Sequence, residues 1–247
     1  MTTATTGARL AAGCVHAYTA VGAVLALLMV HFAYAGEVRT VLWLFLVAMV
    51  IDGTDGLLAR HVRVKEVMPQ IDGALLDNIV DYLTYVFAPM VLLWAGGYLP
   101  AGLAGGVCAA APVLASCYQF TRSDAKTEDH FFLGFPSYWN IVAFYVIVLD
   151  LSSTATAVLI AVLTVAVFVP VKYVYPSRTE TLWRVNMTLA GAWLLLWAVI
   201  TWQLPDPATP LVGLSLLYVL FYFALSLWLT LRKSTPASAA EPEHSSR

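Results

Sequence analysis

Charged residues are scarce in this 247-residue sequence: Asp, Glu, Lys and Arg make up 11% of it, whereas hydrophobic residues make up 60%. Soluble globular domains usually carry about a quarter charged residues. The chain also lacks any long basic run, which argues against a nucleic-acid partner. This composition excludes an ordinary soluble domain and indicates a protein that folds in lipid.

Cysteine is also rare, with only Cys14, Cys108 and Cys117 present. An odd number at these spacings matches neither a disulfide framework nor a zinc site. We therefore interpret the three cysteines as packing residues.

The two ends of the chain differ in composition. The apolar stretch after the first ten residues is too long for the core of a signal peptide, so we expect it to be retained as the first span. Residues 234–247 are rich in Pro, Ala, Ser and Glu, a composition that cannot bury enough apolar surface to fold. The prediction is one membrane domain over residues 1–233, followed by a disordered cytoplasmic tail.

Apolar runs interrupted by Gly, Pro or charge predict eight transmembrane helices. They cover approximately residues 15–35, 40–59, 73–96, 101–121, 136–151, 154–173, 182–202 and 211–231. If both termini are cytoplasmic, the positive-inside rule places twelve of the thirteen Lys and Arg residues inside, leaving only Arg39 on the far side. The predicted fold class is all-α, a polytopic membrane helical bundle.

Four aspartates fall inside the second and third predicted spans. The twelve apolar residues 40–51 would cross only about 18 Å as a helix, so the second span must continue through Asp52 and Asp55. A spacing of three places these two carboxylates on one helix face, and a spacing of four does the same for Asp77 and Asp81. Two neighbouring helices therefore each offer a pair of acids at membrane depth.

Four ionised carboxylates in a low-dielectric cleft repel each other, and each costs at least about 2.5 kcal/mol to insert. They therefore require cations, and oxygen ligands favour Mg²⁺ or Mn²⁺ over zinc. Paired divalent ions are suited to the cleavage of a diphosphate. The alternative is that the aspartates cap helix ends or pair with Arg60, Arg63 and Lys65. Their matched spacing on consecutive helices argues for a functional site.

The pattern Asp52-x-x-Asp55-Gly56-x-x-Ala59-Arg60, followed by Gly73-x-x-x-Asp77-x-x-x-Asp81, is long and specific. It resembles the signature of the CDP-alcohol phosphatidyltransferase family at every fixed position. The linker at 64–69 and the segments 81–89 and 127–140 resemble the bacterial branch of that family that makes phosphatidylcholine.

The resemblance implies an eight-span enzyme of the bacterial inner membrane, with its active site facing the cytoplasm, and a homodimer. Its expected substrates are CDP-diacylglycerol and choline, and its products are phosphatidylcholine and CMP. Two Mn²⁺ or Mg²⁺ ions would be held by Asp52, Asp55, Asp77 and Asp81. Asp81 would also act as the general base on the choline hydroxyl.

Small residues accompany the acids and suggest where the nucleotide lies. Gly56, Ala59 and Gly73 leave room for the nucleotide to lie against the backbone, and Arg60 could hold a phosphate through two hydrogen bonds. The alternative for Arg60 is an interfacial anchor whose stem lies in the lipid.

Choline is a permanent cation, so a selective site for it needs aromatic faces. The candidates are Tyr85, Tyr138 and Trp139, with Asn140 as a neighbouring polar group. Aromatic residues also gather at membrane interfaces without binding any ligand, which is the competing explanation.

Several other polar residues are harder to interpret. Lys172 and Arg178 are candidates for lipid phosphates, although the positive-inside bias explains them equally well. His16 and His31 lie in the first predicted span without an identifiable partner, and we assign them no role.

Three other functions fit part of the pattern. Another member of the same family could use serine, inositol phosphate or glycerol phosphate as acceptor. A membrane prenyltransferase also binds a diphosphate through aspartates and metals, but it would not need the Gly-x-x-x-Asp-x-x-x-Asp half. A transporter would distribute its acids along a crossing path, whereas these four gather at one depth.

Overall fold

The computed structural model describes residues 5–125, 127, 131–175, 179 and 181–232. Most of this part of the chain is helical. The helices are α1 (Thr6–Tyr34), α2 (Val38–Val62), α3 (Val64–Val67), α4 (Gly73–Asp81), α5 (Ala88–Ala95), α6 (Leu103–Thr121), α7 (Trp139–Val148), α8 (Ser153–Ala166), α9 (Trp183–Gln203) and α10 (Thr209–Arg232). A π-helical segment (Tyr82–Phe87) joins α4 to α5, and two short strands, β1 (Phe131–Leu133) and β2 (Lys172–Val174), complete the fold.

Six helical stretches are long and apolar enough to cross a membrane: α1, α2, the continuous stretch Gly73–Ala95, α6, α9 and α10. This confirms the predicted membrane helical bundle. Helices α7 and α8 are apolar but have 10 and 14 residues, which span about 15 and 21 Å. The count of eight crossings and the cytoplasmic location of both termini stay predictions. The proposed tail, 234–247, lies outside the described residues.

The chain after α8 differs from the sequence prediction. The sixth span was expected to continue to residue 173, but α8 ends at Ala166, and Lys172–Val174 pairs antiparallel with Phe131–Leu133. Pro170 lies between the two elements, and proline has no backbone N–H to continue a helix. A run of apolar residues near a helix end does not distinguish a last helical turn from a short strand.

Gly134 allows β1 to turn back towards the end of α8. Its φ of +84° lies in the left-handed region, and a Cβ at this position would lie 2.2 Å from the carbonyl oxygen of Val167. Only glycine combines this conformation with this approach. The Gly134 N–H donates to the carbonyl of Val171, which ties the turn to the start of β2.

An aromatic core holds the bundle together towards the start of α2. The rings of Phe144 and Trp197 stack at a centroid distance of 3.8 Å, and Trp197 Nε1 donates to the carbonyl of Leu42 at 3.1 Å. Asp52 lies ten residues further along α2, about 15 Å away by helical rise. The acidic end of α2 is therefore separate from this aromatic core.

Helices α1 and α4 approach each other closely at Gly22. A Cβ on Gly22 would lie 2.4 Å from Cγ1 of Val80, well inside the contact distance of two carbon atoms. Because Val80 precedes Asp81 and follows Asp77 by three residues, this contact sets the distance between α1 and the acidic helix α4. The missing side chain at Gly22 is what permits it.

We predict that Gly22→Ala lowers the thermal unfolding temperature in detergent. Alanine is the better helix former by about 1 kcal/mol, so any loss must come from the clash with Val80, and overpacking of this kind costs about 1–3 kcal/mol. Gly13→Ala in the same helix is the matched control, because a Cβ there would meet only Met68 Sδ at 4.0 Å. Equal unfolding temperatures for the two variants would contradict the proposed close packing.

Candidate active site and metal centre

Three carboxylates from two helices meet inside the bundle. Asp52 and Asp55 lie on α2 and Asp77 lies on α4, and one oxygen from each side chain lies within 4.8 Å of the other two. Asp55 is 6% exposed, and the other two are partly buried. The structure thus brings together three of the four acids that the sequence predicted as metal ligands.

Asp81 lies at the edge of this group. It lines a small cavity of about 10 Å³ together with Asp52, Asp55 and Asp77. Within the described part of the chain, however, the group of oxygens within 4.8 Å of one another comes from those three acids and does not include Asp81. The π-helical segment begins at the next residue, Tyr82. Such segments are frequent at functional sites. The roles predicted for Asp81, as a metal ligand and general base, remain predictions.

The three clustered carboxylates fit a divalent ion. Opposite ligands of an ion bound at 2.1 Å are about 4.2 Å apart, so oxygens within 4.8 Å of one another need only small movements to share one. All the donors are hard oxygens, which suit Mg²⁺ or Mn²⁺. Three negative charges at this distance inside apolar helices also repel each other unless a cation neutralises them.

Hydrogen bonds from other helices orient two of the acids. Thr19 Oγ1, on α1, donates to Asp55 Oδ2 at 2.8 Å, and the Tyr85 hydroxyl, in the π-helical segment, donates to Asp52 Oδ2 at 2.7 Å. Partners of this kind fix the orientation of a ligand and leave its other oxygen for the metal. The sequence did not reveal Thr19, because its contact with Asp55 depends on how α1 packs against α2.

A larger cavity of about 560 Å³ opens beside the carboxylates. Its walls include all four residues that the sequence assigned to the nucleotide, Gly56, Ala59, Arg60 and Gly73. The volume lies within the range of typical ligand sites, about 300–1,000 Å³. Arg60, Arg63 and Lys65 make part of its wall cationic, as binding of a diphosphate requires.

The two predicted nucleotide glycines have different neighbours. A Cβ on Gly56 would lie 3.4 Å from Arg60 Nη1, whereas a Cβ on Gly73 would lie 3.2 Å from Cε1 of His16. The space left by Gly73 therefore lies against an imidazole. His16, to which the sequence gave no role, lines the larger cavity, and His31 is exposed near the other end of α1.

An aromatic cluster lies next to the acids. We define it as Tyr85, Phe132, Tyr138, Tyr175 and Tyr222. The Tyr138 ring is central, with ring centroids 6.0 Å from Tyr85, 6.3 Å from Phe132 and 6.4 Å from Tyr222. Phe132 in turn lies 4.5 Å from Tyr175, which also lines the larger cavity. The hydrogen bond from Tyr85 to Asp52 links this cluster to the carboxylates.

The other residues predicted to contact choline or phosphate have the following surroundings. Trp139 is fully buried and donates through Nε1 to Ser116 Oγ at 2.9 Å. Its role as a choline contact stays a prediction. Asn140 is 2% exposed, and its Oδ1 has no hydrogen-bond partner among the residues that the structure describes. Lys172 Nζ lies 5.7 Å from the centroid of the Phe131 ring. Arg178 lies outside the described residues.

One further acid lies beyond the end of α6. Asp124 accepts two hydrogen bonds of 2.6 Å from the Arg122 guanidinium. These bonds lower the pKa of the Asp124 carboxyl below its ordinary value. This acid therefore belongs to an ion pair outside the spans and not to the cluster of Asp52, Asp55 and Asp77.

We predict that Thr19→Val weakens divalent metal binding. Valine has nearly the shape of threonine but cannot hold Asp55, and loss of such an orienting partner typically lowers metal affinity about 10-fold or more. The measurement is the Mn²⁺ concentration that gives half-maximal thermal stabilisation in detergent. Thr156→Val is the matched control, because the hydroxyl of this buried threonine on α8 donates to the Ser152 carbonyl and, among the described residues, contacts none of the acids. Unchanged Mn²⁺ dependence in Thr19→Val would exclude an orienting role.

Comparison with known proteins gives a consistent result. A model of the CDP-alcohol phosphatidyltransferase family matches residues 16–232. A protein of Legionella pneumophila is 44% identical over 89% of both chains. A protein of Pseudomonas aeruginosa is 34% identical over 89% of this chain and 92% of its own length, and one of Borreliella burgdorferi is 33% identical over 85% and 88%. Each of the three is named phosphatidylcholine synthase.

Proposed function

Because the chain belongs to the CDP-alcohol phosphatidyltransferase family, we propose that it transfers the phosphatidyl group of CDP-diacylglycerol to choline, releasing CMP. The observation that carries this proposal is the meeting of Asp52, Asp55 and Asp77 beside a cavity that contains Gly56, Ala59, Arg60 and Gly73. Seven of the eight fixed residues of the family signature thus line this cavity, and the eighth, Asp81, lines the smaller cavity beside it. The names of the three relatives support choline as the acceptor.

The proposed cofactor is a pair of divalent ions, Mn²⁺ or Mg²⁺, held by Asp52, Asp55, Asp77 and Asp81. When bound, such ions neutralise the diphosphate oxygens and the charge that develops on the departing CMP. Thr19 and Tyr85 hold Asp55 and Asp52 in place for them. Arg60 contributes a fixed positive charge to the same cavity and forms hydrogen bonds with a phosphate.

The reaction itself needs a base. Asp81 accepts the proton of the choline hydroxyl as its oxygen attacks the β-phosphorus of CDP-diacylglycerol. A new bond forms between the choline oxygen and this phosphorus, and the bond from the phosphorus to the bridging oxygen breaks. That oxygen leaves as part of CMP. The small residues of the cavity wall let the diphosphate lie close to the helix backbone.

The aromatic cluster is the proposed site of the choline headgroup. A quaternary ammonium binds an aromatic face within about 6 Å of its centroid, and Tyr138 stands at 48° to Tyr85 and 84° to Phe132, forming a corner of ring faces. Tyr85 also contacts Asp52, so a choline bound here has its hydroxyl near the acids. This assignment keeps the predicted Tyr85 and Tyr138 and adds Phe132, Tyr175 and Tyr222.

We propose that the protein lies in the bacterial inner membrane with this site facing the cytoplasm. The cavity wall contains Arg60, Arg63 and Lys65, residues that the positive-inside rule places on that side. Arg39, predicted on the opposite side, donates to the carbonyl of Leu204 beyond the end of α9. The homodimer implied by the family resemblance is retained as part of this proposal.

The proposed activity predicts CMP release from CDP-diacylglycerol that requires both choline and a divalent metal. Asp81→Asn should abolish it, with turnover at least about 100-fold lower, because an amide cannot accept the proton. The assay uses purified protein in detergent and a panel of radiolabelled choline, serine, inositol phosphate and glycerol phosphate.

The thermal unfolding temperature without ligands and the elution position in size-exclusion chromatography serve as the controls that the Asp81→Asn protein is folded. Incorporation of serine but not choline would instead indicate a different acceptor. Full turnover by Asp81→Asn would exclude Asp81 as the base.

The aromatic cluster makes a separate prediction about choline affinity. Tyr138→Leu removes the central ring and should raise the KM for choline about 10-fold, in line with a desolvated cation–π contact, while the KM for CDP-diacylglycerol changes little. Tyr138→Phe keeps the ring and is the matched control, with a choline KM near that of the parent protein. This location for choline would be refuted if Tyr138→Leu raised the KM for choline and the KM for CDP-diacylglycerol equally, or if it left the KM for choline unchanged.

A further inference from the structure

A histidine on α1 contributes to the larger cavity in a way that the family signature does not include. His16 is 8% exposed and lines the cavity together with Asp55, Asp77 and Arg60. Its Nε2 is buried and has no hydrogen-bond partner among the residues that the structure describes. Buried polar side-chain atoms are bonded in the large majority of cases. An exception in the wall of a substrate cavity suggests that the substrate supplies the partner.

The orientation of the imidazole is set by Gly73. The atoms nearest to a Cβ on Gly73 would be Cε1 of His16 at 3.2 Å and Nδ1 at 3.7 Å. This edge of the ring therefore packs against the backbone at the start of α4. Nε2 is not among the atoms within 4 Å of that Cβ position, so the contact with Gly73 does not provide its missing partner.

The position of His16 along α1 indicates which part of the substrate it meets. Thr19, which bonds Asp55, lies three residues further on, so His16 is about 4.5 Å along the axis from the level of the carboxylates. It lies towards the start of α1, and the same cavity has Arg63, Lys65 and Glu66 in its wall. The wall also includes apolar residues such as Val64 and Ile71. A wall that combines charged and apolar side chains suits a nucleoside, which has polar edges and an apolar base face, better than it suits acyl chains.

We propose that His16 Nε2 forms a hydrogen bond with the nucleoside part, ribose or base, of the bound CDP group. This inference rests on the proposed function, because it takes the diphosphate to lie at the carboxylates. His16 is then a binding residue for the nucleotide that acts on neither choline nor the metal. The chemistry requires only that one ring nitrogen face a hydroxyl, carbonyl or amino group of the nucleoside.

The test is calorimetric binding of CMP and of pyrophosphate to the full chain in detergent with Mg²⁺. His16→Leu should bind CMP about 10-fold more weakly, as expected for one lost hydrogen bond, and pyrophosphate as tightly as the parent protein. His31→Leu, at an exposed position on the same helix, is the matched control and should change neither. Equal losses for CMP and pyrophosphate, or no loss for either, would overturn the proposal.

Two further variants keep the test decisive if His16→Leu does not fold. The amide of Gln reaches approximately the position of Nε2, and the shorter Asn reaches that of Nδ1. His16→Gln should therefore bind CMP within about threefold of the parent affinity, a smaller change than the loss of one hydrogen bond causes. His16→Asn should bind CMP as weakly as His16→Leu does. Mn²⁺ binding checks that the carboxylates are intact. CMP binding that is as tight in His16→Asn as in His16→Gln would contradict the assignment.

The outcomes separate this inference from the proposed function. A parent protein that binds CMP but releases none from CDP-diacylglycerol and choline would contradict the proposed function, and the His16 contact could still be measured. A parent protein that is active, with a His16→Leu variant that binds CMP normally, would contradict only the inference.

Discussion

Mutual repulsion among buried carboxylates is the constraint on which the rest of this structure depends. Asp52, Asp55 and Asp77 place oxygens within 4.8 Å of one another between helices that are otherwise apolar. Such an arrangement is stable only when cations or hydrogen bonds compensate it. The close contact between Gly22 and Val80 brings α1 onto the acidic helix α4, so that α1 can supply part of that compensation.

The same interactions connect the metal centre to the two proposed substrate sites. Thr19 on α1 holds Asp55, and the same helix places His16 in the wall of the larger cavity one turn earlier. Tyr85 holds Asp52, and its ring contacts Tyr138 in the aromatic cluster. Each of these two helical segments thus fixes one acid and one proposed substrate contact together. A shift of either segment would disturb metal binding and substrate position at the same time.

The sequence predicted what depends on composition and on spacing within one helix. The membrane bundle, the acids on α2 and α4, and the four small or cationic residues of the cavity wall follow from apolar runs and from spacings of three and four. The sequence did not predict contacts between different elements, namely Thr19 with Asp55, His16 with Gly73, and the pairing of β1 with β2. The hydrogen bond from Trp139 to Ser116 likewise depends on how α7 packs against α6.

The central claim is that the acids of α2 and α4 share divalent ions, and anomalous diffraction tests it most directly. Crystals of the protein grown with Mn²⁺ and CMP should show anomalous density among Asp52, Asp55 and Asp77, at about 2.0–2.2 Å from their oxygens. The account also predicts a second peak beside Asp81. Manganese bound elsewhere, with these carboxylates turned away from one another, would contradict it.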